Sequence, residues 1–205
     1  VPHTLLTFAG LTIGRTGVNL GGLSWSEQIN TSSPAVGASN LGRAFLGRSV
    51  LYDALNLDEA VDAVVATPVE RACHFVLADG RNHRRGVLIQ STPGAAPVVT
   101  YNRSGDFTTA APTLSGMVYQ ASPALGAGYK AAVQSLWDNF SASTFFALAA
   151  NSSVALPTPT AAINQLNAVY TCSEASLGVG FSFAVGSQMA LNQSPVVFDM
   201  QQLLP

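Results

Sequence analysis

The segment Gly17-Val18-Asn19-Leu20-Gly21-Gly22-Leu23 decides how this chain is read. It sets one carboxamide among glycines 17, 21 and 22. Glycines turn tightly, and without Cβ atoms they let another chain segment or a substrate come close. An asparagine placed immediately after a strand in such a setting aims its side chain from a rigid edge, and its NH2 group is a good donor to an oxyanion. The same heptad also reads as a Gly-rich hairpin with a capping asparagine. Upstream of it, the apolar runs 5–8 and 11–13 alternate with glycines and lead into 18–23, which predicts strand, turn, strand.

Downstream, polar residues 26–40, including Asn30-Thr-Ser-Ser-Pro34, predict a loop. From Leu41 the apolar spacing turns helical, with Leu41, Ala44, Phe45, Val50, Leu51 and Leu55 on one expected face. A second helix follows: Asn56 caps it, Glu59 is the reciprocal partner, Leu57, Ala60, Val61, Val64 and Val65 form its stripe, and Pro68 ends it. The period then becomes that of strands. Residues 72–78, 87–90 and 97–101 predict a three-strand meander with turns over 79–86 and at Pro93-Gly94. Residues 103–124 read as loop, 128–137 and 161–166 as helices, and 168–173, 179–185 and 195–200 as strands. Strands in groups and helices in pairs predict an α+β layered fold rather than βαβ winding.

A length of 205 residues fits one domain, 1–205, with a sizeable core. Nine Lys+Arg against 11 Asp+Glu give a net charge of -2, which excludes nucleic acid as a partner. Charged residues make up 10% of the chain, against about 25% in an ordinary soluble domain. Something other than charge must therefore keep the surface wet or covered. Residues 140–173 and 175–198 carry no charge, but Asn, Gln, Pro and Gly break both stretches, so no membrane-spanning helix is expected.

N-linked glycans are the expected cover. Asn-x-Ser/Thr triplets start at Asn30, Asn102, Asn139, Asn151 and Asn192, where this composition gives roughly two by chance. With Lys130 as the single lysine, the chain reads as secreted, extracellular or lysosomal. Cys73 and Cys172 lie in strand-like runs far apart in sequence. They read either as a disulfide, which such a compartment permits, or as two buried thiols. The start at Val1 reads as that of a processed product.

The remaining chemistry is sparse. His3, His74 and His83 are scattered and no Cys-x-x-Cys occurs, so neither a metal nor any other cofactor is expected. The serine-hydrolase elbow is absent; Gly180-Phe-Ser182-Phe-Ala184 lies inside an expected strand. Gly126-Ala-Gly128 opens a helix but follows Pro123 rather than a strand, and no acidic residue stands about 20 positions on. His74 reads as a packed strand residue or as a base, His83-Arg84-Arg85 as a solvated tip, and Trp25 and Trp137 as core.

The heptad resembles the Gly-x-Asn-x-x-Gly-Leu motif of the cysteine N-terminal-nucleophile (Ntn) hydrolases, the group of isopenicillin N acyltransferase-like enzymes, penicillin V acylase and choloylglycine hydrolase. The order that follows is similar too: a polar loop, two helices, Cys73-His-Phe-Val-Leu-Ala-Asp-Gly80, then Val98-Val-Thr-Tyr-Asn102-Arg-Ser-Gly-Asp-Phe107. The resemblance covers residues 5 to about 110. It implies the downstream portion of a four-layer αββα sandwich that cleaves or transfers a linear amide. It also implies Asn19 as oxyanion donor and Asn102 as the group that holds the amino group or the intermediate. In this group an N-terminal Cys is the nucleophile, its thiolate attacking the carbonyl while its own amine relays the proton. Neither Cys73 nor Cys172 is terminal, so the resemblance implies an upstream chain of the same precursor that carries the nucleophile and stays bound, within a higher assembly. The alternative expectation is a catalytically silent secreted glycoprotein of the same fold.

Overall fold

The computed structural model describes residues 1–6, 16–29, 41–80, 85–101, 131–136, 139, 141, 143–144, 147, 166–172, 177–183, 193–194 and 196–203. Six strands, β1 (His3–Leu6), β2 (Thr16–Asn19), β3 (Leu23–Ile29), β4 (Cys73–Asp79), β5 (Arg85–Ser91) and β6 (Val98–Tyr101), form one antiparallel sheet in chain order. A second antiparallel sheet holds β7 (Leu166–Cys172), β8 (Leu177–Phe183) and β9 (Val196–Asp199). The two sheets meet where β7 lies against β3.

Helices α1 (Leu41–Asp53) and α2 (Leu57–Ala66) pack on one face of the larger sheet. Alternation and register settle which residues meet them. Trp25 is paired with Leu77, Phe75 with Ile89 and Leu77 with Val87; these residues form a closed core with Val50, Leu51, Leu57 and Val64 from the helices. The Trp25 and Phe75 rings lie 5.0 Å apart at its centre.

The second helix follows its sequence closely. The Asn56 Oδ1 accepts from the Glu59 N–H at 3.0 Å, and the Glu59 carboxylate accepts from Asn56 Nδ2 at 2.9 Å and from the Leu55 N–H at 2.8 Å. One of the first-turn donors, the Glu59 N–H, is thereby satisfied. At the other end the Thr67 N–H bonds the Val64 carbonyl, just before Pro68.

Elsewhere the expectations need correction. The first strand is β1 (His3–Leu6) rather than 5–8, and β3 runs to Ile29 through residues read as loop. The expected face of α1 holds at Val50 and Leu51, which are buried, but Phe45 is exposed with Leu46 buried in its stead, and Leu55 is exposed beyond the helix end at Asp53. Val65, assigned to the stripe of α2, is also exposed. The expected turn over 79–86 is shorter, since β4 includes Asp79 and β5 begins at Arg85. Residues 131–135 are helical, within the expected 128–137. The helix expected over 161–166 lies outside the described residues except for Leu166, which opens β7. A short helical turn, Met200–Leu203, follows β9 and buries Met200. Among the described residues no helix is long and apolar enough to cross a membrane.

Candidate active site

Asn19 ends β2, opposite His3, and is 1% exposed. Its Nδ2 donates to the Leu51 carbonyl at 3.0 Å and its Oδ1 accepts from the Leu23 N–H at 3.1 Å. Leu51 lies in the last turn of α1, where carbonyls lack helical partners. The side chain therefore caps a helix end and closes a turn at once. The turn needs its glycines: the Gly22 N–H bonds the Asn19 carbonyl at 3.0 Å, and Gly22 has φ 83°. At position 17 a Cβ would lie 2.4 Å from the Thr4 carbonyl oxygen and 2.7 Å from Leu51 Cδ1. Only glycine lets α1 approach β2 this closely.

The amide expected to be aimed from a strand edge is instead drawn onto the end of α1 and the turn that follows β2. Asn19 lies on the helix side of the sheet, with Gly17 and Leu5, and its oxygen and one N–H are engaged there. A carboxamide carries two N–H groups, so the second is the donor capacity left for an oxyanion. The neighbouring Tyr52 carbonyl accepts from the Val1 amine at 2.7 Å. Asn102 follows the end of β6 in sequence and lies outside the described residues.

His74 lies on the opposite face of the sheet, in register with Gln28 of β3 and Gln90 of β5. It is half-buried, and that loss of hydration holds its pKa below the ordinary histidine value. Thr100, on the same face, is buried and its Oγ1 has no hydrogen-bond partner. Sequence reasoning left His74 open as a packed residue or a base and did not single out Thr100. Alternation along β4 carries the signal, but only register places His74 beside Gln90. His83, Arg84 and the Gly126-Ala-Gly128 stretch lie outside the described residues. Trp25 is core, as read.

Of the five glycan acceptors, Asn139 is described and exposed; Asn30, Asn102, Asn151 and Asn192 lie outside the described residues. Cys73 is buried at the start of β4 in the core under the helices and takes part in no disulfide, so the expected bridge to Cys172, which closes β7 of the other sheet, is not formed.

The family model described as acyl-coenzyme A:6-aminopenicillanic acid acyl-transferase matches residues 2–107. No curated protein matches this chain. Among solved structures it is similar to penicillin V acylase from Agrobacterium tumefaciens, with a TM-score of 0.61 and 15% identity over 93% of this chain and 67% of that one. It is also similar to the Caenorhabditis elegans orthologue of N-acylethanolamine-hydrolyzing acid amidase, with a TM-score of 0.52 and 18% identity over 96% of this chain and 81% of that one. At these identities the likeness carries the fold alone: the α+β sandwich of the Ntn hydrolases.

Proposed function

Because this chain belongs to the acyl-coenzyme A:6-aminopenicillanic acid acyl-transferase family, we propose that it is the downstream part of a secreted or lysosomal Ntn-type amidohydrolase or acyltransferase acting on a linear amide. The observation that carries this reading is the extent of the family match, which takes in the whole six-stranded sheet, α1, α2, Asn19 and Asn102. The nucleophile is an N-terminal cysteine on a separate upstream chain of the same precursor. Its thiolate adds to the amide carbonyl, the carbon–nitrogen bond breaks, and its α-amine passes the proton to the leaving amine. Water then hydrolyses the thioester, or an acceptor amine takes the acyl group.

In this scheme Asn19 acts through the N–H that Leu51 leaves over, and Asn102 holds the amino group or the acyl intermediate. Glycans on the acceptor asparagines belong to the same proposal. The bonding of Asn19 within the fold favours a second reading, a catalytically silent glycoprotein with this architecture.

Incubating the native protein with a fluorogenic coumarin amide of a short acyl chain separates the two. The enzymatic reading expects amine release that iodoacetamide abolishes. No release, or release that survives complete thiol alkylation, supports the silent reading.

A further inference from the structure

The charged residues on the strands of the six-stranded sheet, Glu27, Asp79 and Arg85, all stand on the helix side by alternation and register. Arg85 is the cation among them. It opens β5, just before Val87, which pairs with Tyr101, the last residue of β6. Its guanidinium lies over the Tyr101 ring, 5.6 Å from the centroid, and its Nη2 donates to the Asp58 carboxylate in the first turn of α2. Buried Asp79 stands opposite it in the ladder. One arginine thus joins the start of α2 to the exit of β6.

Stability alone does not account for this residue. Asp58 is exposed, and an ion pair to an exposed carboxylate contributes little. The Arg85 Nε is buried and has no hydrogen-bond partner, which is a cost. What the arrangement supplies is position. β6 is four residues long and pairs, among the described residues, with β5 alone; Val98 at its start is exposed. A short strand at a sheet edge opens easily. The guanidinium, anchored to the capped start of α2, restrains the ring of the residue that Asn102 directly follows.

We propose that Arg85 is a positioning residue of the amide reaction: it holds the exit of β6 and thereby sets the asparagine at 102. The proposal rests on the amidohydrolase or acyltransferase reading above, in which Asn102 holds the amino group or the acyl intermediate. Displacing such a group by about 1 Å costs up to about a hundredfold in rate. A lysine at 85 keeps a charge for Asp58 but loses the flat contact with the ring.

The test is steady-state turnover of the coumarin amide by the native protein and its variants, with thermal unfolding measured alongside. Arg85→Met removes the unpartnered N–H, so it should melt close to the wild type. Its kcat is expected to fall about tenfold to a hundredfold, with KM nearly unchanged. Arg85→Lys should lose several-fold in kcat, and Tyr101→Phe, which keeps the ring, hardly any. In an Asn102→Ala background Arg85→Met should cost nothing more, because both act through one group. An unchanged kcat in Arg85→Met, a lower melting temperature without a lower kcat, losses that multiply in the double variant, or full activity of Asn102→Ala overturns the proposal. Should Arg85→Met fail to fold, Arg85→Lys decides: wild-type kcat there overturns it. With wild-type turnover present, these outcomes overturn the positioning role alone. No turnover by the wild type overturns the catalytic reading and the positioning role with it.

Discussion

Asn19 carries two buried hydrogen bonds with one short side chain, and its replacement is correspondingly costly. Asn19→Ala leaves the Leu51 carbonyl and the Leu23 N–H without partners, a loss of about 2–4 kcal/mol. Urea denaturation should show a lower midpoint with little change in slope. His74 makes the opposite kind of contribution. Its folded-state pKa is depressed by burial, so the unfolded chain binds the proton more readily. The stability tied to its neutral form is complete above the ordinary histidine pKa, about 6.5, and is lost as pH falls through that value toward the folded one. Melting temperatures taken between pH 7.5 and pH 5 should therefore fall more steeply for the wild type than for His74→Gln.

Helices α1 and α2 show what a sequence can and cannot say. In α2 the instructions are local: Asn56 and Glu59 are three residues apart and bond each other, and the stripe from Leu57 to Val64 stands on one side, so the helix was legible without its neighbours. In α1 apolar residues occur on more than one side, and the stripe that docks is chosen by shape. Gly47 decides it, because a Cβ there would lie 2.4 Å from Trp25 Nε1. A glycine does not count in an apolar stripe, so the expected face took in Phe45 in place of Leu46. The same logic hid the far end of β3, where Ser26, Glu27 and Gln28 resemble loop until β4 supplies the register. The motif at Asn19 was legible as a residue of consequence, but its direction was not, since only the docked helix shows which way the amide turns. Gly47→Ala tests the seat of α1. The gain in helix propensity, up to about 1 kcal/mol, should be outweighed by overpacking of about 1–3 kcal/mol against the indole, and thermal unfolding should show net destabilisation.

The chain as a whole joins a charge-poor sequence to a sheet whose two faces are sorted by charge. A surface with so few ionic groups needs another source of hydration, and the proposal assigns that part to glycans. Asn139 is exposed, so peptide-N-glycosidase treatment of protein from a secretory host should remove mass and convert Asn139 to Asp in the tryptic map. An unmodified Asn139 before treatment would remove that site. The family match accounts for the sheet and its helices, and the proposed mechanism requires one thing more: a terminal thiol contributed by another polypeptide. Intact-mass analysis and N-terminal sequencing of the native particle, before and after denaturation, measure this directly. The account predicts a second polypeptide that begins with cysteine and is released only on unfolding. A homogeneous particle in which no polypeptide begins with cysteine would contradict it.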